Sequence, residues 1–166
     1  MRFQILVCNQ QSLGNIDGDA LVAAITRSNF HTLCDQYGLS PDLIEPGKVA
    51  LGVLAVRRSV APFFVLRYHP SHCRPIIVNE WHISDPAGGK WLESLLQNAP
   101  SHEVIKHLQR ACFIVTITLG PTQIEDLGRL LAYELARWSA ELGCGLVRGL
   151  DGKWYRLNDH QAFIPI

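Results

Sequence analysis

The stretch Ala111-Cys112-Phe113-Ile114-Val115-Thr116-Ile117-Thr118-Leu119, with the run from Gly120 to Gly143 behind it, decides the fold. Phe113, Val115 and Ile117 alternate with Ile114, Thr116 and Thr118, the two-residue period of a strand. Both sets contain apolar residues, which predicts a central position in a sheet. Past the Gly120-Pro121 breaker, Ile124, Leu127, Leu131, Leu135, Trp138 and Leu142 recur at steps of three and four, the spacing of an amphipathic helix. Thr122 and Glu125 have the spacing of a capping box, and Glu125 and Arg129 are an i,i+4 pair in the favourable order. Gly143 closes the helix.

Working outward, Cys144 to Leu150 reads as a strand. Asp151-Gly152 is a turn signal, and Lys153 to Leu157 is the returning strand. The tail Ala162-Phe163-Ile164-Pro165-Ile166 is apolar and is expected to pack. On the N-terminal side, Phe3 to Cys8 is a short buried strand, and Asp17 to Tyr37 has helical spacing with Gly38 after it. Val49 to Val56, Pro62 to Tyr68 and Ile76 to Ile83 are three more strands. The prolines of His69-Pro70-Ser71-His72-Cys73-Arg74-Pro75 mark a hairpin loop. Asp85-Pro86 opens a helix with Trp91, Leu92, Leu95 and Leu96 on one face, and Ser101 opens a shorter one.

Strands cluster between helices instead of alternating strictly with them. That order predicts a single α+β domain over 1–166, with helices on one face of a mainly antiparallel sheet. With the middle hairpin counted as an embellishment, the first six elements match the split βαβ order of a ferredoxin-like sandwich, and the last helix and strand pair extend the sheet. The C-terminal segment, a long helix leading into Gly143-Cys144-Gly145-Leu146-Val147 and then Asp151-Gly152-Lys153-Trp154-Tyr155, resembles the ending of several uncharacterised ferredoxin-like α+β families. The resemblance covers about a quarter of the chain. It implies that fold and brings no activity with it.

Composition narrows the function classes. Of 166 residues, 48% are apolar and 18% charged, against about 25% charged in an ordinary soluble domain. Low charge points to self-association. Fifteen basic and fifteen acidic side chains cancel, which argues against nucleic acid, since phosphate binding wants a basic surplus. Arg57-Arg58 is the one adjacent basic pair. No apolar stretch approaches the roughly 20 residues of a membrane helix. Cys8, Cys34, Cys73, Cys112 and Cys144 form no Cys-x-x-Cys pair, and no secretory signal precedes them, so free thiols in a reducing cytoplasm are expected.

Reactive chemistry is sparse. His69, His72 and Cys73, with His82 across the hairpin, are residue types that bind zinc, but their spacing fits no standard zinc motif. Cys73, between His72 and Arg74, is the one thiol whose neighbours suit a nucleophile. Asp17/Asp19 and Glu125/Asp126 fall at helix starts, where capping accounts for them. Gly-rich phosphate cradles and Gly-x-Ser-x-Gly are absent from the sequence. The expectation is therefore a non-catalytic, cytoplasmic domain without a cofactor, forming a homodimer or other homo-oligomer or binding a protein, with room for a small ligand. Trp81, Trp154, Tyr155, Phe163 and Ile164 are the candidate interface residues. The alternative is a small metal- or thiol-dependent enzyme centred on the 69–82 hairpin.

Overall fold

The computed structural model describes residues 3–26, 52–55, 63–68, 74–124 and 126–166. These form eight strands: β1 (Phe3–Asn9), β2 (Gly52–Ala55), β3 (Phe63–Arg67), β4 (Ile76–His82), β5 (Phe113–Leu119), β6 (Leu146–Arg148), β7 (Trp154–Leu157) and β8 (Phe163–Pro165). The helices are α1 (Gly18–Thr26), α2 (Pro86–Gln97), α3 (His102–Leu108) and α4 (Asp126–Gly143), with a 3₁₀ turn at Pro121–Gln123. The strands make one sheet in the order β2-β3-β4-β5-β1-β6-β7-β8, antiparallel at every pairing. β1 lies between β5 and β6. Those two strands therefore run parallel to each other, and α4 carries the chain from one to the other.

The α+β class and the antiparallel sheet are as read from the sequence. The helices, however, lie on both faces of the sheet and not on one. Ile5 and Val7 of β1 and Val115, Ile117 and Leu119 of β5 face Leu21 and Ile25 of α1 and Leu127, Leu130, Leu131 and Leu135 of α4. The alternate residues Leu6, Cys8 and Ile114 face Leu95 of α2 and Val104 and Leu108 of α3. The cause lies in the strands themselves: β1 and β5 are apolar on both sides, so each side needs a cover. Fully burying a leucine contributes about 1.5–3 kcal/mol, which makes the α4 stripe a large part of the stability.

Three further differences concern ends of elements. The tail forms a third C-terminal strand, β8, paired to β7 through Tyr155↔Pro165 and Leu157↔Phe163. Before α4, the buried side chain of Gln123 holds the turn: its Oε1 accepts the Gly120 N–H at 2.7 Å. Glu125 lies outside the described residues, as do 27–51, which hold the rest of the first helix read from the sequence. At the end of α4 the left-handed residue is Cys144, with φ 52°, and neither of the glycines beside it.

Two buried polar groups fix how the connections enter and leave the sheet. Glu80 of β4 is 2% exposed, and its carboxylate accepts the Ser12 hydroxyl and the Leu13 N–H, both at 2.6 Å. It pins the β1–α1 connection onto the sheet. Asn9, fully buried at the end of β1, donates from Nδ2 to Ser139 Oγ of α4 at 3.2 Å.

Candidate functional site

A cleft of about 420 Å³ opens where β1 begins, beside the first turns of α4. Phe3, Ile124, Arg129, Tyr133, Leu150, Asp151, Tyr155 and Phe163 line it. Helical spacing puts Arg129 and Tyr133, four residues apart, on the same side of α4. The β6–β7 connection supplies the floor. It is closed by Gly149 N–H donating to Lys153 O at 2.9 Å and by Gly152 N–H donating to Gly149 O at 3.1 Å. The Leu150 N–H donates to the Tyr133 hydroxyl at 3.1 Å, which ties this turn to α4. A Cβ on Gly149 would stand 2.8 Å from both the Tyr133 hydroxyl and Asp151 Oδ1, so only glycine lets the turn come this close.

The aromatic walls support one another. Phe163 of β8 meets Tyr133 and Tyr155 edge-on, each with ring centroids 5.9 Å apart. Such pairs add about 0.5–1.5 kcal/mol beyond area burial.

The charges are arranged asymmetrically. Both oxygens of Asp151 accept hydrogen bonds, Oδ2 from the Tyr155 hydroxyl at 2.6 Å and Oδ1 from the Lys153 N–H at 3.1 Å. Arg129 is half-buried and, among the described residues, makes no hydrogen bond or ion pair. Desolvation pushes the Tyr155 phenol above its ordinary value, and the Asp151 carboxylate adds to the shift. Tyr133 is raised as well, chiefly by burial. Both phenols therefore keep their protons at neutral pH.

The interface candidates are distributed differently from the expectation. Tyr155 and Phe163 are walls of the cleft. Trp154 is 4% exposed and belongs to the core beneath α2 and α3, so its side chain is a packing group. Trp81 and Ile164 are half-buried, on β4 and on the edge strand β8. That edge is three residues long and contains Pro165, two features that discourage further strand pairing. Leu142 is the exposed large hydrophobic residue among the described ones.

Of the possible metal ligands, His69, His72 and Cys73 lie outside the described residues. His82 is exposed at the end of β4. Its Nδ1 accepts the Ser84 N–H at 3.1 Å, and its ring meets Phe113 edge-on. The described residues contain no group of three His, Cys, Asp or Glu side chains arranged to hold a metal.

A second cavity, of about 520 Å³, lies between Arg74, Ile77, Thr118 and Gln123. Its buried amide is already committed: Gln123 Nε2 donates to the Tyr68 hydroxyl at 3.0 Å and to the Arg74 carbonyl. The first cleft offers a ligand more, because its guanidinium has no partner among the described residues.

Sequence reading missed Phe3, Arg129, Tyr133 and Asp151 as members of one site. The i,i+4 relation of Arg129 and Tyr133 is the available signal, but spacing also pairs Arg129 with Glu125 and puts Asp151 in a turn. No helix among the described residues is long and apolar enough to cross a membrane. The chain matches no protein-family model, no curated protein and no solved structure.

Proposed function

We propose that this chain is a non-catalytic, cytoplasmic domain that holds a small ligand in the Phe3–Arg129–Tyr133–Tyr155 cleft. One observation carries the reading. A 420 Å³ recess walled by four aromatic rings also contains an arginine without a partner among the described residues. Ligand sites are typically recesses of about 300–1,000 Å³ with apolar walls and a few convergent polar groups. The protonated phenols support binding over catalysis. The order β4-β5-β1-β6, with α1 following β1 and α4 joining β5 to β6, supports reading the central sheet as a ferredoxin-like core.

Protein-observed NMR tests this with 2-naphthoate as the probe. Amide shifts are expected to concentrate at Phe3, Arg129, Tyr133, Leu150 to Tyr155 and Phe163. Shifts spread evenly over the molecule, or gathered at the Gln123 cavity, would count against the reading. Self-association is a separate proposal and rests on the low charge fraction. A strict monomer by light scattering at high protein concentration would end it.

A further inference from the structure

The geometry points to the ligand class: we infer that the cleft takes a small monoanion, a carboxylate on a flat apolar body, with Arg129 as its anion-binding group. This inference rests on the ligand-binding reading above. Its basis is the unequal state of the two charges in the cleft. Asp151 accepts one hydrogen bond on each oxygen from the protein's own donors, which partly offsets its charge within the fold. Arg129 carries five N–H donors and, among the described residues, has no acceptor. It also sits in the opening turns of α4, the positive end of that helix, where a cation is disfavoured unless an anion joins it.

The shape of the recess fixes the rest of the ligand. Phe3, Tyr133, Tyr155 and Phe163 together line the recess, which fits a planar or aromatic body. Asp151 limits the charge. Its carboxylate lines the same recess, so each negative charge beyond the one Arg129 neutralises meets repulsion at short range. A carboxylate therefore suits the site better than a phosphate monoester, which carries about −1.5 to −2 near neutral pH.

Four probes with one naphthalene body separate the possibilities on the full-length chain: 2-naphthoate, 2-naphthamide, 2-naphthylmethylammonium and 2-naphthyl phosphate, each titrated by NMR near neutral pH. The naphthoate is expected to bind tightest. The neutral amide should be about ten- to hundredfold weaker, the range for losing a hydrogen bond to a charged group. The ammonium and the phosphate should also fall below the naphthoate. Arg129→Gln should bring the naphthoate down to the level of the amide measured on the same variant. Arg129→Lys should keep the preference for the anion. If no probe moves the cleft signals, the ligand-binding reading itself fails. If the probes do move them but the amide, ammonium or phosphate equals the naphthoate, or Arg129→Gln keeps the preference, only the assignment of ligand class is overturned.

Discussion

Replacing Gly145 by alanine tests how the sheet and α4 are locked together. A Cβ at this position would stand 2.1 Å from Asn9 Oδ1, 3.2 Å from Asn9 Cγ and 3.0 Å from Val7 Cγ1. Gly145 has no positive φ, so contact alone, and not backbone strain, opposes the methyl group. Asn9 has little room to give way. Its carbonyl accepts the Cys112 N–H at 2.9 Å, and its Nδ2 is bonded to Ser139. An ångström of forced movement in a packed site costs at the upper end of the overpacking range, about 3 kcal/mol. Asn9→Ala should cost far less. It gives up one buried hydrogen bond, about 1 kcal/mol, but it also removes Oδ1, a buried acceptor with no partner among the described residues, whose burial itself costs about 1–3 kcal/mol. The double variant Asn9→Ala/Gly145→Ala should then be about as stable as Asn9→Ala alone, giving a coupling of about 2–3 kcal/mol. Urea unfolding followed by tryptophan fluorescence measures all four proteins, and Gly145→Ala should lower the midpoint by about 1–3 M. A Gly145→Ala protein within about 1 kcal/mol of the parent, or a double variant no better than Gly145→Ala, would refute this account of the lock.

The same region and its neighbours give three further tests. Cys144→Gly should stabilise the fold by about 1 kcal/mol, because a left-handed φ of 52° strains any residue with a Cβ; an unchanged thermal midpoint would contradict this. Glu80→Gln should cost about 1–2 kcal/mol, since the Ser12 hydroxyl and the Leu13 N–H donate to separate carboxylate oxygens and the NH2 that replaces one of them cannot accept, and it should speed hydrogen exchange at the Leu13 amide. Burial pushes the Cys8 thiol up to about 12 from 9.0, so native labelling at mildly alkaline pH should modify the exposed Cys144 and spare Cys8. A thiol raised by folding contributes stability that is complete below pH 9 and is lost as pH rises toward 12. Cys8→Ala should therefore flatten the alkaline decline measured by urea unfolding, and an equally steep decline would argue that Cys8 is not the group responsible.

How much of this was open to inspection in the chain itself depends on whether a feature is local. β5 and the α4 stripe were plain, because a period of two or of three to four residues reports directly which side is buried. The double-sided cover was also present in the letters: Leu6, Cys8 and Ile114 are as apolar as Ile5, Val7 and Val115, and a strand apolar on both sides needs two layers. Cys144 was misread for a local reason. Glycine is the usual left-handed residue at a helix end, yet here the two flanking glycines serve to let Asn9 approach, and the cysteine takes the strained position. Tyr155 and Phe163 stood out as apolar aromatics near the end, but their partners Phe3, Arg129 and Tyr133 lie far off in sequence and meet them only because β1 sits between β5 and β6.

The cleft shows why its chemistry stayed hidden longest. A motif announces residues that act together, whereas the property that distinguishes Arg129 is the lack of an acceptor among the described residues. Along the chain Arg129 has an obvious one, Glu125, one helical turn earlier. Asp151 looks equally available until the Tyr155 hydroxyl and the Lys153 amide are seen to occupy its two oxygens. Which charge is satisfied and which is left over is settled by donors and acceptors drawn from α4, the β6–β7 turn and β7 together. Spacing in the sequence can place a guanidinium and a carboxylate in reach of each other. Only the folded arrangement shows the carboxylate bonded to the protein's own donors and the guanidinium lining the recess without an acceptor among the described residues, and that imbalance is the basis of the proposed preference for an anion.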